Sequence, residues 1–314
     1  MLDAAIAVDD VARIALAGLT AAQKTLPPKL FYDAEGVRLF EAITKLPEYY
    51  LTRTERALLA DIATDIVALA PAGAVLVEYG ASDEAKALLL LHAPGATFAA
   101  YVPIDVATSA LDAMSARLAD SDPALHVHPL SADFLQPLLL PTAVRGLPHF
   151  GFFPGSTIGN LDPAAARQFL RDARRTLGAG SWLIVGADVR KDPSRLVPAY
   201  DDAAGLTAAF NLNVLRRLNR EAGANFTLAQ FSHRAVWNDA ESRIEMHLVS
   251  QVAQTVQLGG SSVSFEAGET IHTENSYKHS IEAMRLLARE AGWVPAQVWT
   301  DKAQMFALYA LRAV

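Results

Sequence analysis

The chain has 314 residues, of which 52% are hydrophobic and 19% charged, and its formal net charge is -7. This composition excludes a disordered chain and predicts either one large hydrophobic core or two ordinary ones. The acidic balance, with no cluster of basic residues, argues against nucleic-acid binding. Because the chain has no cysteine, disulfides, thiolate metal sites and cysteine nucleophiles are excluded.

Neither membrane insertion nor secretion is expected. The longest apolar stretches fall far short of the roughly 18 residues that a membrane span needs. The segment Met1–Ala21 carries acids at Asp3, Asp9 and Asp10, where a signal peptide has bases. We therefore expect a soluble cytoplasmic protein with no membrane or nucleic-acid partner; the sequence indicates no oligomeric state.

The first 55 residues are rich in aromatic residues and proline and fit no simple pattern. From residue 74 onward, short apolar runs alternate with helical patterns, which is typical of βαβ units and a mostly parallel sheet. The predicted strands are Ala74–Tyr79, Phe98–Ile104, Leu125–Leu130, His149–Phe153 and Ser181–Gly186. Helices are predicted at Glu84–Leu91, around Leu111, Met114 and Leu118, and between Asp162 and Gly178.

The helix after Asp162 has the clearest punctuation in the chain. Asp162 can cap it, Pro163 suits its first position, and Gly178 ends it. The side chains predicted to face the core are Ala166, Phe169, Leu170, Ala173 and Leu177.

Further along, a second, antiparallel unit is predicted. Its strands are Phe231–Trp237, Arg243–Val249 and Val263–Phe265. A helix at Ser280–Ala291 then precedes two strand-like runs, Gln297–Thr300 and Met305–Leu311, whose short separation predicts a hairpin.

An antiparallel last strand on a parallel sheet resembles the Rossmann-like class I methyltransferase architecture, so the fold class is α/β with a second, α+β, substrate-binding domain. We expect the methyltransferase domain to span 56–191 and 279–314, and the substrate-binding domain to span 1–55 and 192–278.

Candidate ligand-binding residues follow the predicted strands, where open α/β sheets bind their ligands. Gly80 follows the first strand, but the full G-x-G-x-x-G pattern is absent. Cofactors with a pyrophosphate are therefore disfavoured, and adenosine cofactors that carry no phosphate remain candidates. Asp105 can accept hydrogen bonds from a ribose diol, and Asp133 with Phe134 can hold an adenine. This layout is expected for S-adenosylmethionine, although each aspartate alone could also form a turn or cap a helix.

The loop after the fourth strand, Phe152–Pro163, contains two glycines and opens onto the predicted helix. Asn160 offers both an acceptor and donors, which suits the carboxylate or amine of an amino acid, or it could only shape the turn. Pro154 stands where a G-x-S-x-G nucleophile elbow needs glycine, which excludes that serine-hydrolase motif. No H-E-x-x-H is present, so His126 and His128 are assigned to surface or packing roles and no metal is predicted.

Long stretches of the chain resemble the ergothioneine-pathway histidine Nα-methyltransferases, the histidine-specific S-adenosylmethionine-dependent methyltransferase family. The resemblance runs nearly end to end. The stretches that carry it are Pro28–Asp33, Leu39–Phe40, Leu46–Glu55, Gly155–Asn160, Lys191–Pro193, Leu196–Asn211 and Ile271–Ser276.

The resemblance implies processive trimethylation of L-histidine to hercynine, with the following roles. The amino-acid end of histidine would be held by Gly155, Thr157, Asn160 and Tyr200, the imidazole by Glu274 and Ser276, and Met246 would line the pocket. Tyr49 or Tyr50, with Tyr32 and Phe40, would close the site between the two domains. The cofactor would contact Gly80, Lys86, Asp105, Asp133, Phe134 and Tyr50, and the catalytic residues would be Tyr49, Tyr50 and Asn160.

Two departures from the family pattern leave alternatives open. The turn after the first strand reads Tyr79-Gly80-Ala81-Ser82 where the family has a Gly-Ser-Gly-like turn, so a non-catalytic adenosyl-ligand-binding protein is one alternative. The residues around Ser276, namely Asn275 and Tyr277–Ser280, also differ from the family pattern. The second alternative is therefore a methyltransferase whose substrate is another aromatic amino acid, such as tryptophan. For Glu274, the alternative to imidazole binding is a solvated acid at a strand end.

Overall fold

The structure, a computed structural model, describes residues 8–81 and 83–314. The helices in this part of the chain are α1 (Val8–Leu19), α2 (Ala34–Ile43), α3 (Leu51–Val67), α4 (Ala85–Leu91), α5 (Thr108–Ser121), α6 (Pro163–Leu177), α7 (Pro193–Leu196), α8 (Leu206–Glu221) and α9 (Ile281–Glu290). Within the described residues, no helix combines the length and the apolar character that crossing a membrane requires.

The strands among the described residues are short to moderate in length. They are β1 (Lys24–Thr25), β2 (Val75–Tyr79), β3 (Ala100–Asp105), β4 (Leu130–Ser131), β5 (His149–Phe153), β6 (Trp182–Asp188), β7 (Phe231–Asn238), β8 (Arg243–Ser250), β9 (Gln254–Leu258), β10 (Ser261–Phe265), β11 (Thr270–Tyr277), β12 (Trp293–Thr300) and β13 (Phe306–Ala313).

These elements divide into two compact units. Of the described residues, unit one comprises 51–190 and 278–314, and unit two comprises 8–50 and 191–277. The sequence prediction placed the boundaries after residues 55, 191 and 278. Residues 1–7, which it assigned to the substrate-binding domain, lie outside the described part. The assignment of cofactor to one unit and substrate to the other stays a prediction.

Unit one contains a mostly parallel sheet in the order β12-β13-β6-β5-β2-β3-β4. Strands β2 to β6 run parallel to one another, whereas β13 is antiparallel to both β6 and β12. The predicted α/β fold, with its antiparallel last strand, is confirmed. The chain reverses its direction of progress across the sheet at β2, which lies between β3 and β5, and ligands of open α/β sheets bind at such a position.

Helices cover both faces of this sheet because its strands are apolar on both sides. One core joins Val77 on β2 to Phe169 of α6 and Met284 of α9. The other joins Leu76 on β2 to Leu59 of α3 and other buried residues. Each face of β2 therefore contributes to a different hydrophobic core.

The local signals of α6 act as predicted. The Asp162 side chain accepts hydrogen bonds from the backbone N–H groups of Ala164 and Ala165, and Gly178 follows the last turn at φ 89°. The predicted inward residues are all buried: Ala166, Phe169, Leu170, Ala173 and Leu177.

The strand predicted at Leu125–Leu130 is wrong in extent. Val127 makes only an isolated bridge to Tyr101, and the regular strand is Leu130–Ser131. Pro129 separates the two pairing points, and a proline has no backbone N–H to donate to a neighbouring strand.

Unit two is built on a sheet in the order β1-β11-β8-β7, with a separate β9-β10 hairpin. The three predicted strands correspond to β7, β8 and β10, and the structure adds β1, β9 and β11. Only the β1-β11 pair is parallel. Asp33 is the N-cap of helix α2: its carboxylate accepts from the N–H of Gly36 and from Asn213 and Arg220 of α8. This carboxylate joins the N-terminal segment to the rest of the unit.

Candidate cofactor and substrate sites

The turn after β2 is fastened to the end of β3. The backbone N–H groups of Gly80 and Ala81 both donate to the carbonyl of Ile104, at 2.8 and 3.0 Å. Gly80 has φ +75°, and a Cβ placed there would lie 3.5 Å from the ring of Phe134. The structure therefore brings Gly80, the Asp105 that follows Ile104, and Phe134 together at one edge of the sheet. Ser82 of the same turn lies outside the described residues.

Two aspartates lie at this edge, and each forms a local turn. Oδ1 of Asp105 accepts from the N–H of Ala107 at 2.8 Å, and Oδ1 of Asp133 accepts from the N–H of Leu135 at 3.0 Å. Burial raises the pKa of Asp105, against the opposing effect of hydrogen bonds from backbone N–H groups. Turn formation, one of the two interpretations of these residues, is confirmed, and it occupies one carboxylate oxygen of each.

Phe134 forms an apolar wall beside Gly80. Its ring makes edge contacts with Phe153 and Phe169, at centroid distances of 5.6 and 5.8 Å. An adenosyl group fits these residues, because they combine an aromatic face, carboxylates and close access to the backbone at Gly80.

Glu78 is the last but one residue of β2 and is only 2% exposed. It accepts a hydrogen bond from the Tyr101 hydroxyl. Burial raises the pKa of Glu78 to about 8, although that hydrogen bond and nearby Lys86 act in the opposite direction. Beside the candidate cofactor edge, this side chain is therefore mainly protonated at neutral pH.

The loop after β5 adopts a constrained backbone conformation. Gly155 and Ser156 have φ values of 81° and 57°, in the left-handed region that favours glycine. The Ser156 hydroxyl accepts from the N–H of Asp188 at 2.9 Å, and the Thr157 hydroxyl donates to the carbonyl of Pro154 at 3.0 Å. The loop then forms a single 3-10 turn, Thr157–Asn160, in which Asn160 is half-buried.

A carboxylate that the sequence analysis did not assign lies under this loop. Glu55 is fully buried on α3, accepts hydrogen bonds from the N–H of Gly155 at 2.7 and 3.0 Å, and forms an ion pair with Lys86 at 2.7 Å. The signal for it was available: Glu55 falls on the same helical stripe as Leu51, Leu58 and Leu59. A charged residue on an apolar stripe needs a partner.

In unit two, a β-bulge determines where Glu274 points. His272 pairs with His247, and Glu274 pairs with Met246, so Thr273 is the extra residue on β11. The Thr273 hydroxyl donates to the carbonyl of Met246 at 3.0 Å. Because side chains alternate along a strand, the bulge moves Glu274 onto the face that carries buried Met246.

Glu274 lies inside β11 and is 9% exposed. The alternative of a solvated acid at a strand end is therefore wrong. Ser276, two residues further on, is 3% exposed, and its hydroxyl lies 2.8 Å from the hydroxyl of Tyr200. The structure thus places Glu274, Ser276, Met246 and Tyr200 at one buried polar patch.

Aromatic side chains from the N-terminal segment extend from this patch. Tyr49 makes an edge contact with Tyr200 at 6.3 Å and with Phe40 at 6.1 Å, measured between ring centroids. Phe40 in turn lies 6.0 Å from both Tyr32 and Phe210. Four of these five residues were predicted for the substrate site, whereas Phe210 was not assigned a role.

The remaining predicted residues divide between the two units. Tyr50 belongs to unit two, where its hydroxyl lies 2.8 Å from the ammonium of Lys191. Gly155, Thr157 and Asn160 belong to unit one. The residues predicted to bind histidine thus come from both units of the chain.

The opposite face of β8 and β11 carries Glu245, His247 and His272, which are residue types that bind metals. The two imidazole rings stack at 4.6 Å. Burial opposes ionisation of Glu245, but hydrogen bonds from Asn238, Arg243 and His247 lower its pKa to about 2. Because the Arg243 guanidinium already neutralises this carboxylate, we interpret the group as an ion-pair and hydrogen-bond network.

Nearly the whole chain is similar to known proteins. The profile of the family described as "Histidine-specific methyltransferase, SAM-dependent" matches residues 11–313. A histidine N-alpha-methyltransferase of Mycolicibacterium smegmatis is 43% identical over 96% of this chain and 94% of its own length. A protein of the same name from Mycobacterium tuberculosis is 39% identical over 93% of this chain and 91% of its own.

One solved structure shows the fold independently of close sequence similarity. An S-adenosylmethionine-dependent methyltransferase from Clostridium acetobutylicum superposes with a TM-score of 0.52 at 10% identity, over 88% of this chain and 98% of its own. At this identity the likeness concerns the fold alone, and it agrees with the strand order described above.

Proposed function

Because this chain belongs to the histidine-specific, S-adenosylmethionine-dependent methyltransferase family, we propose that it methylates the α-amino group of L-histidine, adding three methyl groups to give hercynine in ergothioneine biosynthesis. The observation that carries the proposal is the buried patch of unit two, where a bulge turns Glu274 onto the face of Met246. This patch combines a carboxylate, hydroxyls and aromatic rings, which suits an imidazole.

The cofactor is assigned to the strand ends of unit one. Asp105 would accept hydrogen bonds from the ribose, Asp133 and Phe134 would hold the adenine, and Gly80 would leave room for close approach. Lys86 would hold the cofactor's carboxylate, and Tyr50 is also proposed to contact the cofactor. When bound, S-adenosylmethionine supplies a methyl group on a positively charged sulfur, which needs no metal or covalent enzyme intermediate for transfer to an amine.

The imidazole is assigned to Glu274 and Ser276, with Met246 lining the pocket. A buried carboxylate can accept a charge-assisted hydrogen bond from an imidazole N–H, which is stronger than a bond between neutral groups. The hydroxyls of Ser276 and Tyr200, 2.8 Å apart, share one hydrogen between them. Each hydroxyl can act as both donor and acceptor, so the pair can exchange a hydrogen bond with an imidazole nitrogen in either protonation state.

The amino-acid end is assigned to Gly155, Thr157, Asn160 and Tyr200, which are neutral. The amine must lose its proton before it can attack a methyl group, and a nearby anion would favour the protonated form. Neutral partners stabilise the protonated amine less than a carboxylate would. The remaining task of the protein is to align the nitrogen lone pair with the methyl carbon and to exclude water.

Repeated methylation ends at a quaternary ammonium, which cannot donate hydrogen bonds. Aromatic faces stabilise such cations through their quadrupoles. Tyr49 and Phe40, whose rings lie 6.1 Å apart, and Tyr32 beyond them are the residues that we assign to this task. Together with Asn160 and Tyr50, Tyr49 completes the proposed catalytic residues.

The test is a calorimetric titration of histidine, Nα-methylhistidine and tryptophan, each in the presence of S-adenosylhomocysteine, followed by turnover and mass spectrometry. We expect histidine to bind and to yield product shifted by three methyl groups with few intermediates. Binding of tryptophan but not histidine would move the assignment to another aromatic amino acid. Cofactor binding without turnover of any amino acid would identify a non-catalytic adenosyl-binding protein instead.

A further inference from the structure

We propose that Glu55 is the positioning residue of this enzyme: one buried carboxylate sets both the Lys86 ammonium and the loop that begins at Gly155. The inference rests on the roles proposed above for Lys86 in cofactor binding and for the Gly155–Asn160 loop in substrate binding. Glu55 acts through these two groups and is assigned no contact with cofactor or substrate.

Both oxygens of the Glu55 carboxylate have partners. Both oxygens of Glu55 lie within hydrogen-bond distance of the Gly155 N–H, at 2.7 and 3.0 Å, and Oε2 also lies 2.7 Å from the Lys86 ammonium. The Glu55 side chain is 0% exposed and that of Lys86 is 16% exposed. A buried carboxylate persists only when charges and donors compensate its lost hydration, as they do here.

A third element makes room for this carboxylate. A Cβ at Gly186, in β6, would overlap Oε1 of Glu55 and lie 3.2 Å from the ring of Phe306. Gly186 is not among the residues with positive φ, so its backbone does not require glycine. Glycine at position 186 therefore leaves room for Oε1 of Glu55.

Neither the Lys86 side chain nor the backbone at Gly155 keeps a fixed conformation without a partner. Lysine carries its charge on a flexible four-carbon chain, so a fixed partner reduces the entropy lost when a ligand binds. Gly155 and Ser156 lie in the left-handed region at successive positions, and such a backbone persists only when its surroundings determine it. Loss of one carboxylate should therefore disturb the cofactor contact and the substrate loop together.

The first arm of the test uses Glu55→Gln, Gly186→Ala and the control Gly151→Ala in the full chain. A glutamine can still accept from Gly155 but forms no ion pair with Lys86, and an alanine at 186 displaces the carboxylate without changing it. A Cβ at Gly151 overlaps only Leu177 and Leu183 at close range, so this variant strains the same sheet away from Glu55.

We expect Glu55→Gln and Gly186→Ala each to weaken S-adenosylhomocysteine about tenfold by calorimetry, and to raise the KM for histidine, since the loss of a charged partner and of preorganisation act together. Gly151→Ala should lower the melting temperature and keep the wild-type affinity. Unchanged affinity in the first two variants, or an equal loss in Gly151→Ala, would overturn the proposal. Failure of both variants to fold would do the same, by making the residue structural.

The second arm is a double-variant cycle with Lys86→Met. If Glu55 acts on the cofactor through Lys86, then Glu55→Gln should change S-adenosylhomocysteine affinity less than about twofold in the Lys86→Met background. Additive losses would contradict this route. S-adenosylhomocysteine is the cofactor product whichever amino acid is methylated. If the wild-type protein does not methylate histidine, the proposed function is refuted, but this binding test of Glu55 can still be carried out.

Discussion

The two units of the molecule assemble their candidate sites by different means. In unit one, Gly80, Asp105 and Asp133 follow successive parallel strands, so the topology of the sheet alone brings them to one edge. In unit two, Glu274, Ser276 and Tyr200 meet because of a register shift in β11 and a loop that lies far away in sequence. A cofactor site can thus follow from the fold, whereas this substrate site depends on individual side chains.

The units also differ in how they hold charge. Unit one contains the ion pair of fully buried Glu55 with partly exposed Lys86, and the buried carboxyl of Glu78, whose pKa is raised and which accepts a hydrogen bond from Tyr101. In unit two, the buried patch combines the Glu274 carboxylate with the hydroxyls of Ser276 and Tyr200 and with aromatic edge contacts around Tyr49. This arrangement agrees with the proposed chemistry, because a carboxylate suits an imidazole N–H, whereas neutral groups suit an amine that has to lose its proton.

The largest expected effect is on substrate binding by unit two, with cofactor binding left unchanged. Glu274→Ala should raise the KM for histidine about 100-fold and leave the KM for S-adenosylmethionine nearly unchanged, since it removes a charge-assisted contact specific to the substrate. Initial-rate kinetics with each substrate varied in turn measures both constants. Glu35→Ala, on the exposed face of α2, is a control that should behave as wild type. Equal changes in both constants for Glu274→Ala would contradict the assignment.

A smaller effect is expected on cofactor binding by unit one. Asp105→Ala should weaken S-adenosylhomocysteine about tenfold, the usual result of leaving a buried hydrogen-bonding partner unpaired. Calorimetry on the free enzyme measures it. Because Oδ1 of Asp105 also holds the Ala107 N–H, Asp105→Asn is the matched variant: its amide oxygen keeps this turn and loses only the charge. Wild-type affinity in Asp105→Ala would refute the ribose role.

The last effect concerns stability and not ligand affinity, and it sharpens the contrast in buried charge. The pKa of Glu78 is about 8 in the folded protein, against an ordinary value of 4.5, so the folded state retains a proton that the unfolded chain releases. Stability should therefore fall as pH rises from about 4.5 to 8, by on the order of 1 kcal/mol per pH unit, and Glu78→Gln should remove this fall.

Melting temperatures of wild type, Glu78→Gln and the exposed control Glu35→Gln between pH 5 and pH 9 test this expectation. The advantage of Glu78→Gln over wild type should grow with pH up to about 8 and then level off. A constant difference between the two proteins across the range would show that Glu78 does not retain its proton.

Local signals predicted the elements that the chain specifies over short distances. The cap at Asp162, the proline after it and the glycine at 178 defined α6 to the residue. The strand predicted at Leu125–Leu130 was wrong because apolar alternation outweighed Pro129, which interrupts the pairing. Strand β11 was not predicted, because its polar residues obscure the alternation that identifies a half-buried strand.

By itself, the sequence determined the α/β class, the antiparallel last strand and the order in which candidate residues follow the strands. These features depend on patterns a few residues long. Only the tertiary structure decided that Thr273 bulges, which reverses the face of Glu274, and that positions 55, 86, 155 and 186 converge on one carboxylate. The physical reason is distance along the chain: pairing register and buried charge compensation arise between segments that no local pattern connects.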